Sequence, residues 1–400
     1  MGHVEQAGKG TASGRPAVAA VTLGIFTVMT AELLPVGLLT PAAADLAVSE
    51  GTAALMVTVP GLVAALAAPL VTVRAAGADR RTLLVAFLFL AAVANLVPAL
   101  AGHLAVVLAA RVLLGVAIGG FWALAGGLVP RLVPAEAVGR ATAAIFGGVS
   151  AASVLGVPAA TLLTERVGWR WAFAATGVLA LLAAVALRAL LPQLPGAGTE
   201  GGRGAGPGLR GLAALPGRNR RVRAGLLLTL ALVTGHFLAY SFVRPLLTDH
   251  SGISGSLLGA LLLGYGVAGV AGNFLVGSRA ARSPGRTLAV IAAALGTVLL
   301  AGFLLGDSAI AGAGLLLLWG LAYGGVSVAL QSWFMAAAPD DVETATGLNV
   351  SVFCLAIALG ALLGGLLVDA YSLGTVLLAG AALTLAAFPV AVLSGRNDHS

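Results

Sequence analysis

Glu32 is the only charged side chain in the 29 residues from Pro16 to Ala44. A carboxyl in so apolar a run can take up and release a proton, which none of its neighbours can do. Arg111, in a later apolar run, is the matching cation, and the four-residue spacing of Arg111, Gly115 and Gly119 forms one helical stripe along which a neighbouring helix can approach the guanidinium. Counted at 1.5 Å per residue from the ends of their runs, Glu32 and Arg111 lie at similar depths, roughly 11–14 Å below one membrane surface. A lone charge at such a depth costs ~2.5–3.5 kcal/mol on insertion scales, so these residues are expected to face a partner or a cavity. Two readings follow: a structural Glu32–Arg111 pair, or a proton and substrate site. The second is the sharper.

His236 falls midway through another apolar run, near the position that would answer Glu32 if the chain repeats. Histidine titrates near pH ~6.5, so His236 is a candidate second proton-coupling group, or else a neutral hydrogen-bonding one. Tyr240, Trp319, Tyr323, Gln331, Trp333 and Asn349 supply rings and amides in the second half of the chain. Together they could line a cavity that stacks and hydrogen-bonds a flat solute; the alternative is that the rings only pack. Arg244, just before Pro245, is expected to snorkel to the interface.

Other chemistries are excluded by context. Gly264, Gly266 and Gly269, and again Gly196, Gly198 and Gly201, spell GxGxxG, but neither set follows a strand and opens a helix as a dinucleotide site requires. For Gly264, Ala268 and Gly272 the expected role is close helix packing. No P-loop, HExxH or GxSxG occurs, and the single Cys354 allows neither an intrachain disulfide nor a thiolate metal cluster. No metal or cofactor is expected, and no enzyme. Without ATP hydrolysis, work must come from an ion gradient. Burial disfavours the charged form of a carboxyl, which is what would let a proton load near neutral pH; a solute that competes for the same place is then exchanged against it. One proton moving through 100 mV supplies ~2.3 kcal/mol, roughly a fifty-fold gradient of a neutral solute.

The elements that must hold these residues are legible in the composition. Of 400 residues 59% are hydrophobic and 9% charged, and the mean hydropathy is +1.04. Soluble domains carry about 25% charged residues, so most of this surface must face lipid. Twelve runs are long enough to span a bilayer: 17–41, 52–73, 82–101, 104–128, 139–163, 171–191, 224–247, 255–277, 287–305, 309–336, 345–367 and 373–394. The Glu within the first run and its length argue against a cleaved signal peptide. Of the 22 Lys and Arg, 18 fall on one set of loops and ends, which the positive-inside rule makes cytoplasmic together with both termini. The net charge of +7 is thus a topology signal rather than a nucleic-acid footprint.

Residues 192–223 are rich in Gly, Pro and Arg and divide six runs from six. The expected organisation is a cytoplasmic tail 1–16, a six-helix half 17–191, a cytoplasmic linker 192–223, a second six-helix half 224–394 and a tail 395–400. Paired halves around a site at mid-membrane are the architecture of alternating access.

With these features assembled, the sequence resembles the major facilitator superfamily, and within it the twelve-span drug and proton antiporters. Arg111 with Gly115 and Gly119 matches a span 4 signature whose arginine is implicated in proton coupling. In span 5, "GGVSAASVLGVP" resembles the antiporter motif through Gly147, Gly156 and Pro158, with Ala160 where glycine is usual. The loop "VRAAGADRRTLL" keeps Asp79 and Arg80 of a gating signature, with Ala75 and Thr82 in place of its glycines. "AELLPVGLLTPAAADLAVSEG", "GGFWALAGGLVPRLVPA", "GHFLAYSFVRPL" and the Trp319 to Trp333 region are most similar to purine ribonucleoside efflux pumps. The resemblance implies an all-α fold of two pseudo-symmetric halves and a monomer in the plasma membrane that exports small solutes, purine nucleosides foremost, against protons. A drug or sugar exporter is the alternative, proton symport a further one, and a membrane enzyme or receptor the remotest.

Overall fold

The structure, a computed structural model, describes residues 10–74, 77–125, 128–134, 137–194, 209–253, 256–339 and 341–395. Twelve helices among them are long and apolar enough to cross a membrane. They are α1 (Gly10–Asp45), α2 (Leu55–Arg74), α3 (Arg80–Leu100), α4 (Leu104–Ala125), α5 (Val138–Ala151, continued by a π-helical stretch Ala152–Gly156 and by Val157–Val167) and α6 (Trp169–Leu190). The second six are α7 (Arg220–Tyr240), α8 (Ser256–Arg282), α9 (Pro284–Leu305), α10 (Ala309–Tyr323, resuming as Val326–Ala337), α11 (Val342–Ala370) and α12 (Leu373–Gly395).

The expected runs are recovered, and the differences have local causes. Residues 192–223 are not linker throughout, because a helix covers Leu209–Arg218 and Arg220–Arg223 open α7. Asn219 starts that helix by accepting from the amides of Arg221 and Val222, while its own amide group donates to the carbonyl of Ala337 at 2.7 Å. Residues 10–16, expected in the tail, are the first turns of α1. Lys9, Arg203, Arg396 and the second GxGxxG, with both chain ends, lie outside the described residues.

The exposure pattern is that of a protein solvated by lipid. Phe274, Ile310 and Leu66 are exposed, while Glu32, Arg111, His236, Asn95 and several threonines are buried. Small residues bring the helices close. A Cβ on Gly115 would run into Pro60 and Val63 of α2, and one on Gly119 into Ala64 and Ala67, so the stripe below Arg111 is where α2 packs on α4. Gly272 and Gly324 make the same kind of approach between α8 and α10, which is the packing role expected of the Gly264 to Gly272 stripe.

The two halves meet along α2 and α11, along α5 and α8, and where α1 meets the short helix Val243–Pro245 after α7.

Candidate functional site

Glu32 and Arg111 do not pair. Glu32 is 3% exposed, and its Oε1 has no hydrogen-bond partner among the described residues. Arg111, 0% exposed, donates instead from Nη1 to the Ala31 carbonyl at 3.1 Å and from Nη2 to Asn95 Oδ1 at 3.0 Å, with the Ala94 carbonyl at 3.5 Å. Its guanidinium lies 4.7 Å from the centroid of Phe173 on α6. Two prolines explain the choice of carbonyls. Pro35 lies within α1 and Pro98 within α3. A proline inside a helix has no N–H to give to the carbonyl four residues earlier, so Pro35 frees Ala31 and Pro98 frees Ala94. The fork of Arg111 reaches both freed carbonyls and fastens α1 to α3. Asn95 is fixed in turn by donating to the Ala91 carbonyl at 2.7 Å.

Arg111 is thus occupied inside its own half, which leaves Glu32 Oε1 buried without it. The Tyr323 hydroxyl is itself buried and unpartnered. Unsatisfied buried polar groups are uncommon because each costs about 1–3 kcal/mol. Glu32 Oε1 in the first half and Tyr323 Oη in the second are two such groups.

Behind Tyr323 stands a column of rings. Tyr323 stacks on His236 with centroids 3.4 Å apart and planes 8° from parallel; His236 stacks on Tyr240 at 4.9 Å, and Tyr240 on Tyr265 at 4.9 Å. Trp319 closes the column edge-on and donates from Nε1 to His236 Nδ1 at 3.0 Å. An Nδ1 that accepts leaves the ring proton on Nε2, so this imidazole is neutral. The helical spacing of His236 and Tyr240 on α7 and of Trp319 and Tyr323 on α10 puts each pair on one face. The break in α10 at Gly324, where α8 approaches at Gly269, fixes where Tyr323 ends its helix.

The remaining cavity candidates separate from this group. Asn349 is buried and accepts from Thr229 at 2.7 Å, two turns along α7 from His236. Trp333 is buried against Gly225 and donates to the Arg221 carbonyl at 2.9 Å. It packs the start of α7, fifteen residues or about 22 Å from His236. Gln331 is exposed on α10.

Among the gating candidates, Asp79 caps α3. It accepts from the Thr82 amide at 3.0 Å and hydroxyl at 2.8 Å and from the Leu194 amide at 2.7 Å, while the Arg80 amide donates to the Leu194 carbonyl at 2.9 Å. Burial pushes the Asp79 carboxyl up, but the bonds from Thr82 and Leu194 and the Arg131 charge outweigh it and hold it below the usual carboxylate range. Gly156 lies against Thr30 of α1, two residues from Glu32, and Pro158 is buried beside the π-helical stretch. Gly147 has open space around it. Gly148, its unremarked neighbour, is the one pressed against the backbone of Thr22 and Phe26.

At the Ser49 end the halves are joined directly. Asp369 of α11 accepts from the Ser49 hydroxyl at 2.7 Å and the Gly51 amide at 3.2 Å. Arg244, expected to snorkel, is half-buried and donates from Nη1 to the Gly37 carbonyl of α1 at 3.1 Å. Asn95, Tyr265, Asp369 and Phe173 were not singled out from sequence, although Asn95 is the one amide in its run and could have been.

The sequence profile described as Major Facilitator Superfamily matches residues 21–361. The chain is 34% identical over 353 residues to the purine ribonucleoside efflux pump NepI of Shigella sonnei, covering 88% of this chain and 87% of that protein. It is 33% identical over 376 residues to NepI of Salmonella typhimurium, 94% and 93% being covered. It is also 33% identical over 384 residues to a Pseudomonas aeruginosa protein named transcription regulatory protein OpdE, 95% and 94% being covered. In fold it is similar to a bacterial homologue of the lysosomal transporter Spinster in an inward-facing, unoccupied conformation, with TM-score 0.73, 15% identity and 96% of both chains covered. The human organic anion transporter MFSD10 aligns with TM-score 0.68 at 20% identity over 94% of this chain and 99% of that one. Two six-helix halves, with a buried carboxyl in the first and a ring column in the second, and these matches over nearly the whole length together place the chain in the major facilitator superfamily of membrane transporters.

Proposed function

We propose that this transporter exports uncharged purine nucleosides and their analogues in exchange for protons. The observation that carries the reading is the buried Glu32 Oε1, without a hydrogen-bond partner in the first half, together with the Tyr323–His236–Tyr240 stack of the second. A flat base is the solute class that such rings hold by stacking, at about 0.5–1.5 kcal/mol per ring pair beyond burial. Ribose needs hydroxyl partners, and Thr234 Oγ1, Ser241 Oγ and Tyr323 Oη are buried without any. Glu32 carries the proton. Protonated, it is neutral and stable between the halves; ionised, it must be solvated, so its release is tied to opening toward water. Arg111 holds the α1 turn that carries Glu32, and His236 belongs to the ring platform rather than to the proton path. Two NepI proteins named as purine ribonucleoside efflux pumps, alike over most of their length, support the substrate class. A nucleotide brings about two further negative charges and is refused. The test is overexpression in cells challenged separately with toxic purine nucleoside analogues, chloramphenicol and sugar analogues. Protection against the nucleosides is expected; protection against the other two alone would overturn the substrate class.

A further inference from the structure

Pro41 of α1 repeats the logic of Pro35. Pro41 has no N–H for the carbonyl four residues earlier, and that carbonyl belongs to Gly37. It is this oxygen that Arg244 bonds, at 3.1 Å. Thus two of the proline-freed carbonyls of α1, those of Ala31 and Gly37 six residues apart, are each taken by a guanidinium. Arg111 comes from the same half; Arg244 comes from the other.

We infer that Arg244 is a positioning residue for the transport cycle, clasping α1 at its Pro41 break when the halves are closed at the Ser49 end and releasing it when they part. Three observations converge on this. Gly37 is buried, and Thr161 of α5 fills the space beside it, so in the closed arrangement Arg244 is what satisfies its carbonyl. The bond crosses between halves, and alternating access requires the halves to separate at each end in turn. The Asp369 bonds to Ser49 and Gly51 lie at the same end, so the clasp belongs to a closed face rather than to an isolated contact. A carbonyl left by proline suits this role, because it can exchange a guanidinium for water with no helix hydrogen bond broken. The inference rests on membership of the transporter family and not on the nucleoside assignment.

The test is maleimide labelling in detergent of the variant carrying Cys354→Ser and Ala42→Cys, since Ala42 is 0% exposed just beyond the break. Arg244→Ala and Pro41→Ala, the latter restoring an N–H that occupies the Gly37 carbonyl, should each raise the labelling rate about tenfold, as expected for losing one charge-assisted bond. The two combined should label no faster than either alone, and Arg244→Lys should label like the parent. Arg244→Met replaces Arg244→Ala if the latter does not elute as a monodisperse species. Parent-like labelling of Pro41→Ala, or multiplying effects in the double variant, would overturn the clasp.

Discussion

Arg111 bonds the carbonyl of Ala31, the residue that immediately precedes Glu32, at 3.1 Å. The guanidinium therefore holds the broken turn of α1 that carries Glu32.

Arg111→Lys keeps the charge but cannot reach Ala31, Ala94 and Asn95 together. Transport should fall at least about tenfold, and thermal unfolding in detergent should shift down by ~1–3 kcal/mol for the acceptors left unbonded. Unchanged stability together with lost transport would mean that the charge of Arg111 acts on Glu32 directly.

His236 and Trp319 permit a sharper separation. His236→Phe preserves the ring between Tyr323 and Tyr240 and removes the imidazole. Proton coupling should survive with its pH dependence unchanged, while the apparent KM for a purine nucleoside changes. Loss of coupling with uptake and exchange intact would return His236 to the proton path.

The span 5 glycines should differ although the motif joins them. Gly156→Val drives a side chain into Thr30 and should abolish transport or folding, and Gly148→Val should do the same against α1. Gly147→Ala, with open space around its Cβ, should transport within about twofold of the parent, as surface changes away from special features generally do.

Asp79 supplies a pH-dependent test. Its folded carboxyl titrates below its unfolded value, so its contribution is present above pH ~4 and is lost as the pH falls through the folded value. The protection of the Leu194 amide, whose N–H it accepts at 2.7 Å, against exchange relative to its intrinsic rate at each pH should fall on acidification in the parent and be low throughout in Asp79→Ala. Slow exchange in the variant would detach Asp79 from that contact.

What the sequence made legible was everything carried by composition and period: twelve spans, two halves and the isolation of Glu32. The partners were not legible. Equal depth left a Glu32–Arg111 pair open as one of two readings, but depth is one coordinate, and the direction of a guanidinium is decided by which acceptors lie free around it. Those acceptors were written in the chain as Pro35, Pro41 and Pro98, each naming a carbonyl four residues back. Trp333 could have been set apart from Trp319 by distance alone, since fourteen helical residues are about 21 Å. The stack of Tyr323 on His236 joins residues far apart in sequence on different helices, and only packing brings them together.

Protein purified into liposomes with an imposed pH gradient, followed with labelled inosine and a pH-sensitive dye, tests the central claim most directly when the parent is compared with Glu32→Gln. The parent should move the nucleoside against its gradient and move protons the other way. Glu32→Gln should lose both gradient-driven transport and solute-induced proton movement while still exchanging nucleoside for nucleoside. Concentrative, proton-linked transport by Glu32→Gln would contradict the account.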